Sequence, residues 1–87
     1  MEKEKRPELV VFGLTLQKIR KNRGYTQDEL CLFSNVDRSF ISELENGIKA
    51  ATFPIIVSLT KALNISISDF MKQYEENFSE YIKNHSI

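Results

Sequence analysis

The 87-residue sequence lacks most of what disulfide-bonded, zinc-binding and membrane-spanning proteins need. Its one cysteine, Cys31, has no partner for an intramolecular disulfide, which is usual in a reducing cytoplasm. Its one histidine, His85, has no cysteine or second histidine near it, so the common zinc-ligand spacings are absent. No run of about 18 apolar residues predicts a transmembrane helix. Residues 1–10 resemble no secretory signal, and we expect a cytoplasmic protein.

Catalytic patterns are missing as well. The sequence contains no recognisable nucleophile–base set, no paired carboxylates placed for acid–base chemistry and no glycine-rich phosphate loop. Glycine occurs only at positions 13, 24 and 47, and the last two lie where helices are predicted to end. We therefore expect that the protein is not an enzyme and that it has no cofactor, metal ion or small-molecule ligand.

The formal net charge is zero, which argues against a nucleic-acid partner because phosphate attraction supplies most non-specific affinity. The distribution matters more than the total. Residues 1–25 carry seven Lys/Arg and three Glu, a balance of +4, whereas residues 26–51 have a balance of −3 and residues 52–87 of −1. This basic N-terminal part is either a DNA-facing surface or a solvated helix end, where cations favour the helix dipole.

The most informative segment is residues 26–47, TQDELCLFSNVDRSFISELENG. Thr26 and Glu29 have the spacing of a capping box, which starts a short helix. Asn35 follows that helix at a position that suits a left-handed residue, and Asp37 is placed to cap a second helix that ends at Gly47. This pattern predicts a helix-turn-helix, the motif whose second helix lies in the DNA major groove.

Three more helices are predicted around this motif. Residues 1–8 contain a proline and are predicted to form a flexible arm before a first helix at 9–23, which Gly24 ends. A fourth helix is predicted over 52–63, capped by Thr52, and a fifth from Ser66 onward. Loops of two to six residues between such helices describe an all-α fold, a compact five-helix bundle without strands.

The sequence resembles the Xre and phage repressor type of helix-turn-helix regulator. The residues that carry the resemblance are KIRKNRGYTQDELCLFSNVDRSFISELENG and ATFPIIVSLTKALNISISDFM, and it covers about residues 12–71. It implies a lambda-repressor-like DNA-binding domain at 9–71. Residues 37–42 are similar to the controller proteins of restriction–modification systems, although stand-alone antitoxins and prophage regulators share most of the pattern.

The resemblance also implies which residues contact DNA. Gln27, at the start of helix two, matches a glutamine that binds a phosphate, where backbone N–H groups already face an anion site. Arg38 matches a base-reading position and is able to donate to O6 and N7 of guanine. The alternatives are an ordinary exposed residue for Gln27, and a phosphate contact or an ion pair with Asp37 for Arg38. The full set of predicted DNA-binding residues is Thr26, Gln27, Arg38, Ser39, Ser42, Glu43, Asn46, Lys49, Lys18 and Lys21.

Glu43 is able to accept from cytosine N4 in the groove, but near phosphates its carboxylate is repelled, so it either reads a base or faces away. Asn46 and Lys49 follow the recognition helix and are placed to contact DNA phosphates.

Two residues have other predicted roles. Arg20 matches the family position that pairs with Glu45 and ties helix one to helix three. For Cys31, a buried inert thiol and a redox switch both remain open.

Helix five carries a second signal. Apolar and aromatic residues recur at helical spacing well beyond residue 71, so this stripe packs back on the domain or buries against a partner. The resemblance implies dimerisation through this end, and we assign residues 72–87 to a C-terminal helix extension with that role. The predicted homodimer interface is Phe70, Tyr74, Phe78, Tyr81 and Ile82.

The sequence therefore predicts a regulator whose homodimer binds a partly palindromic operator in double-stranded DNA and represses or activates transcription by occupancy. The narrower hypothesis is the controller of a restriction–modification system. The alternative is an antitoxin-like or prophage regulator whose helical domain mainly binds a protein partner.

Overall fold

The computed structural model describes residues 6–85. These residues form five helices, and no strand occurs among them, which confirms the predicted all-α fold. In chain order the helices are α1 (Pro7–Asn22), α2 (Gln27–Ser34), α3 (Arg38–Glu45), α4 (Phe53–Ala62) and α5 (Ile67–His85).

One apolar core lies at the centre of the five helices, and every helix contributes to it. Its largest fully buried side chains come from positions that recur at helical spacing. The fully buried core residues are Val11, Leu16, Leu30, Ile41, Leu44, Leu59, Leu63 and Phe70. Phe12 and Phe70 join α1 to α5, with ring centroids 5.3 Å apart.

The turn between α2 and α3 has the predicted construction. The Thr26 hydroxyl accepts from the Glu29 N–H at 3.0 Å, and the Glu29 carboxylate accepts from the Thr26 N–H at 2.9 Å, so the capping box is complete. Asn35 ends α2 in the left-handed region with φ 61°. Val36 is buried behind it, and its N–H donates to the Ser34 hydroxyl at 3.1 Å. The angle between the two helices is therefore held by local hydrogen bonds and by one apolar anchor.

Some predicted helix ends were wrong. Helix α1 begins at Pro7 rather than at residue 9, because proline at the first helical position lacks only an N–H that has no intrahelical partner there. The residues of the predicted arm before position 6 lie outside the described residues. Asp37 and Thr52 stand at the predicted cap positions, but neither side chain makes a capping hydrogen bond. Ser66 does cap α5, since its hydroxyl accepts from the Asp69 N–H at 3.0 Å.

Helix α1 lies between α3 and α5 and packs on both. On the α3 side the contact is so close that a Cβ at Gly13 would overlap the backbone carbonyl oxygens of Leu44 and Glu45. On the α5 side, the Asn77 amide donates to the Thr15 hydroxyl at 3.0 Å, and the Tyr74 hydroxyl donates to the Glu8 carbonyl at 3.2 Å. The position of α3 relative to α5 is thus set through α1.

Within residues 6–85, no single helix is both long and apolar enough to cross a membrane. Only α4 and α5 taken together reach the required length and apolar character, and they are bent by 102° relative to each other.

Candidate nucleic-acid interface

The start of α2 is connected to the end of α3 through a buried ion pair. Arg20 Nε and Nη2 donate to the two carboxylate oxygens of Glu45 at 2.7 and 2.9 Å, and both side chains are almost fully buried. A third donor of the same guanidinium, Nη1, binds the Tyr25 carbonyl at 2.8 Å, in the segment just before α2. The predicted pairing of Arg20 with Glu45 is therefore present, and it fixes α1, α2 and α3 relative to each other.

Gln27 extends this network to the surface. Its side-chain Nε2 donates to Glu45 Oε1 at 3.0 Å, and the residue is half-buried at the first position of α2. The second hydrogen of Nε2 is not used by that bond, so this nitrogen is able to donate to a phosphate as well, and the first N–H groups of α2 have no intrahelical partner. The predicted phosphate-binding residue is thus oriented by the buried carboxylate. Thr26, beside it, is exposed and uses its hydroxyl in the capping box.

The Arg20–Glu45 pair also has an electrostatic consequence. The hydrogen bonds from Glu45 favour the charged guanidinium and raise the pKa of Arg20, and they outweigh the opposing effect of burial. Arg20 therefore stays protonated at every physiological pH, and no titration of Arg20 loosens this junction. The interface is expected to keep its shape across that range.

Arg38 is exposed at the first position of α3, as predicted, but its ion pair is with a different residue. Arg38 Nε lies 2.8 Å from Asp28 Oδ1, across the turn on α2, whereas Asp37 was the partner considered from the sequence. The two side chains are 60% and 78% exposed, so this pair lies on the outer surface of the motif. It joins the two helices that a helix-turn-helix presents to DNA.

The remaining recognition-helix residues surround Arg38. Ser39 is exposed, whereas Ser42 and Glu43 are half-buried, so α3 presents a polar outer face opposite its buried Ile41 and Leu44. A shallow concavity beside α3 has walls that include Ser39, Glu43 and Ile55. Glu43 therefore stands at the edge of the polar face, where the sequence left open a base contact or an outward orientation.

The end of α3 is held by Asn46. Its side-chain Nδ2 donates to the Ser42 carbonyl at 2.9 Å, which orients the amide along the last turn. Gly47 then takes a left-handed conformation with φ 73°, and the chain turns toward Lys49, which is exposed. Asn46 and Lys49 therefore follow directly from the recognition helix, in the place predicted for phosphate contacts.

Lys18 and Lys21 have a different environment. Lys18 Nζ donates to the Asn77 side-chain oxygen on α5 at 3.4 Å. Both lysines line a shallow concavity with Arg23, Ile65 and Gln73, at the side where α1 meets the start of α5. The structure thus groups these two predicted DNA-binding residues with α5 rather than with the outer face of α3.

The predicted dimer interface on α5 is only partly available. Phe70 is 1% exposed and packs on Phe12, so its assignment to the interface was wrong: the ring completes the core of the domain. Tyr74 is half-buried, and its hydroxyl binds the Glu8 carbonyl. Burial and the nearby Glu8 carboxylate raise the pKa of Tyr74. Both residues mainly hold α5 against α1.

Further along α5 the side chains are more accessible. Phe78 is half-buried with its ring 5.7 Å from that of Tyr74, and Tyr81 is half-buried and stacks on His85 at 4.0 Å. Ile82 is 47% exposed, a large fraction for an isoleucine. The accessible apolar part of the stripe is therefore Phe78, Tyr81 and Ile82.

Cys31 is half-buried against the core rather than enclosed in it. Phe33, two residues further along α2, is 52% exposed and packs edge-on against Tyr25 at 5.1 Å between centroids. Within residues 6–85, no group of three or more His, Cys, Asp or Glu is arranged to hold a metal ion.

Sequence reasoning missed Asp28. The signal that would have found it is the arginine at the first position of α3, where the helix dipole disfavours a cation and a nearby carboxylate offsets the cost. Sequence reasoning also missed Asn77, a polar residue inside an apolar stripe, which binds both Thr15 and Lys18.

Comparisons with known proteins agree with this geometry. A protein-family model described as helix-turn-helix matches residues 16–70. The competence pilus inhibition repressor of Acinetobacter baylyi is 41% identical over 57 residues, which are 66% of this chain and 52% of the repressor. This chain therefore spans about half the length of that relative.

Two solved structures of restriction–modification controller proteins are also similar. One is C.Esp1396I as a tetramer in complex with its natural 35-base-pair operator, with a TM-score of 0.77 and 28% identity over 82% of this chain and 93% of that chain. The other is C.AhdI from Aeromonas hydrophila, with a TM-score of 0.72 and 31% identity over 75% of this chain and 98% of that chain.

Proposed function

The chain belongs to the helix-turn-helix family, and from that premise we propose that it is a sequence-specific DNA-binding regulator of transcription. The observation that carries the proposal is the junction of α2 and α3. There, Gln27 and Arg38 are held at the first positions of two adjacent helices by Glu45 and Asp28. In a helix-turn-helix these are the positions that meet the DNA backbone and the base edges.

Each residue of the interface has a defined role in this proposal. Arg38 reads a guanine in the major groove, and Ser39, Ser42 and Glu43 contact neighbouring base edges. Gln27 binds a phosphate together with the first N–H groups of α2, and Thr26, Asn46 and Lys49 contact phosphates around the motif. Lys18 and Lys21 lie beside α5, and their contribution is a general attraction to the DNA backbone rather than a contact in the groove.

We propose that the active form is a homodimer joined through the C-terminal extension at 72–87. Phe78, Tyr81 and Ile82 supply accessible apolar surface there, and exposed aromatic and aliphatic side chains of this kind favour burial against a partner. A two-fold dimer matches a partly palindromic operator with half-sites about 34 Å apart. The assembly of C.Esp1396I on its operator supports this arrangement by similarity.

The narrower assignment is a controller of a restriction–modification system. It rests on the two controller structures, each of which this chain matches over more than nine-tenths of their length. The similarity to a repressor of competence pili supports regulation by operator occupancy more generally. In either role we propose a non-enzymatic protein that works in the cytoplasm, without a cofactor.

The second candidate is an antitoxin-like or prophage regulator whose main partner is another protein. The exposed Leu32 and Phe33 on α2, together with Ile82 on α5, are the observation that favours it, since they offer apolar surface outside the core. This role does not require Gln27, Arg38 and Asn46 to lie along one motif. The DNA-binding role does, and we therefore place it first.

The test is selection of bound sequences from a random duplex pool, followed by binding of the recovered site at two salt concentrations. Recovery of an inverted repeat is the expected result, and its bases identify the positions that Arg38 and Glu43 contact. Recovery of no motif, with binding that vanishes at moderate salt, would leave only charge attraction and would favour the protein-partner role.

A further inference from the structure

We propose that Asp28 is a positioning residue for Arg38, which holds the arginine so that it distinguishes guanine from other bases. This inference rests on the proposed DNA-binding function and adds to it a residue on α2 that determines specificity without itself reading a base. Among residues 6–85, the ion pair between these two side chains is the one that crosses from α2 to α3.

The geometry of the pair leaves the reading edge of the arginine available. The closest approach is between Arg38 Nε and Asp28 Oδ1, at 2.8 Å. Nε is the inner nitrogen of the guanidinium, and the outer edge formed by Nη1 and Nη2 lies on the opposite side of the group. That outer edge carries two parallel N–H donors, the arrangement that fits O6 and N7 of guanine. Asp28 is thus able to hold Arg38 while Arg38 donates to a base.

The helix positions explain why the carboxylate comes from α2. Arg38 is the first residue of α3, where the positive end of the helix dipole disfavours a cation, and the first turn of α3 contains no acidic residue. Asp28 lies in the first turn of α2, where the dipole favours an anion. The carboxylate of Asp28 therefore stabilises the arginine at a position where the dipole of α3 disfavours a cation.

The exposure of the pair sets the size of the effect. Arg38 is 60% and Asp28 78% exposed, and ion pairs in such surroundings change an equilibrium by about 1.4- to fivefold. An arginine side chain has many rotamers, so an arginine that is already positioned loses less conformational freedom when it meets a base. A carboxylate near DNA also repels phosphates, which weakens binding to every sequence. Asp28 is thus expected to lower general affinity and to raise discrimination.

The experiment compares Asp28→Asn with Asp37→Asn. Both substitutions remove one exposed negative charge, Asp28 from the adjacent helix and Asp37 from the position next to Arg38 in the chain. Only Asp28 pairs with Arg38, and Asp37 makes no capping hydrogen bond that asparagine would lose. Binding is measured on the selected operator, on a random duplex and on operators with each half-site guanine replaced. The guanine read by Arg38 is the one whose preference disappears in Arg38→Ala.

For Asp28→Asn we expect a fall in discrimination at that guanine of about 1.4- to fivefold, the range of an exposed ion pair, with unchanged or tighter binding to random DNA. Asp37→Asn should keep the wild-type discrimination. Asp28→Glu, which restores the carboxylate on a longer side chain, should recover part of it. Because both aspartates lie on the surface, we expect each variant to keep the fold, and thermal unfolding checks this.

Three results would overturn the inference. Unchanged or increased discrimination in Asp28→Asn would mean that Asp28 competes with DNA for Arg38 instead of positioning it. An equal loss in both aspartate variants would assign the effect to charge alone. A wild-type protein without any base preference would overturn the proposed function together with this inference, whereas the first two results leave the proposed function standing.

Discussion

The carboxylate of Glu45 binds Arg20 through both of its oxygens and binds Gln27 through one of them. One side chain on the last turn of α3 thus connects a buried cation on α1 to the surface residue that begins α2. The stability of the domain and the orientation of its candidate phosphate-binding residue therefore depend on the same group.

The first prediction concerns this ion pair. Arg20→Met leaves Glu45 buried without its cation, and we expect the free energy of unfolding to fall by about 3–5 kcal/mol. Because the pKa of Arg20 is raised, the stability that its charge contributes is present below its unfolded pKa and is lost only as the pH rises through the still higher folded pKa. Urea unfolding of the wild type and of Arg20→Met at about pH 8, where the wild-type guanidinium is fully charged, measures this loss.

The double variant Arg20→Met with Glu45→Leu is the control. It removes both charges and fills the space with apolar atoms, and we expect it to recover much of the lost stability. A single Arg20→Met variant as stable as the wild type would contradict the structural role assigned to the pair.

The second prediction concerns the contact between α1 and α3. Gly13→Ala places a Cβ against the backbone carbonyl oxygens of Leu44 and Glu45, and backbone atoms do not move aside as a flexible side chain does. We expect a loss of about 1–3 kcal/mol in unfolding free energy, the usual range for overpacking. Gly24→Asn is the matched control: its Cβ meets no atom within 4 Å, and asparagine tolerates the positive φ there, as Asn35 and Asn64 do in this chain. Equal melting temperatures for the two variants would argue against the close approach.

The third prediction is a pH dependence that arises from Tyr74. Burial, followed by the Glu8 carboxylate, raises the pKa of this hydroxyl, so the neutral form stabilises the fold below the ordinary tyrosine pKa of about 10. That contribution is lost as the pH rises through the folded pKa. Tyr74→Phe should cost about 1 kcal/mol near neutral pH, because the bond to the Glu8 carbonyl is lost. In Tyr74→Phe the free energy of unfolding should also fall less steeply than in the wild type as the pH rises above about 10. If the two proteins lose stability equally over that range, Tyr74 does not have this role.

The fourth prediction concerns dimer formation. Ile82→Asp places a charge in the accessible part of the α5 stripe, and we expect sedimentation equilibrium to show a shift to monomer with weaker binding to a two-half-site operator. Leu32→Asp, on the exposed face of α2 and 76% accessible in the wild type, is the control for the added charge. If both variants remain dimeric, the interface lies elsewhere; if only Leu32→Asp dissociates, it lies on α2.

The fifth prediction separates the two roles at the candidate interface. Arg38→Ala should lose discrimination between the operator and random DNA, because a bidentate contact to guanine is worth about 1–3 kcal/mol. Gln27→Ala should weaken binding to all sequences about equally, since a phosphate contact carries no base information. Competition titrations with specific and random duplexes measure both. An Arg38→Ala variant with the wild-type ratio would remove the base-reading assignment.

The sequence predicted what depends on neighbours along the chain or on family resemblance. The capping box at Thr26, the left-handed Asn35 and the five helices follow from local spacing, and the Arg20–Glu45 pair followed from the resemblance. Sequence spacing did not reveal how deeply each side chain of a helical stripe is buried. Phe70 and Ile82 share one apolar stripe, yet Phe70 fills the core and Ile82 is accessible. Nor did it reveal partners across two helices, because the ion pair of Arg38 with Asp28 depends on how α2 and α3 cross.

If the proposed dimer forms through α5, helix α1 also limits the length of the DNA between half-sites. In the proposed dimer α5 joins the two copies and α3 enters the groove, while α1 packs rigidly on both through Gly13, Thr15 and Tyr74. One added base pair moves a half-site by about 3.4 Å along the DNA and by about a tenth of a helical turn. In residues 6–85 no flexible linker separates the groove-binding α3 from the dimer-forming α5, so the proposed dimer should bind well only to operators whose half-sites have one spacing.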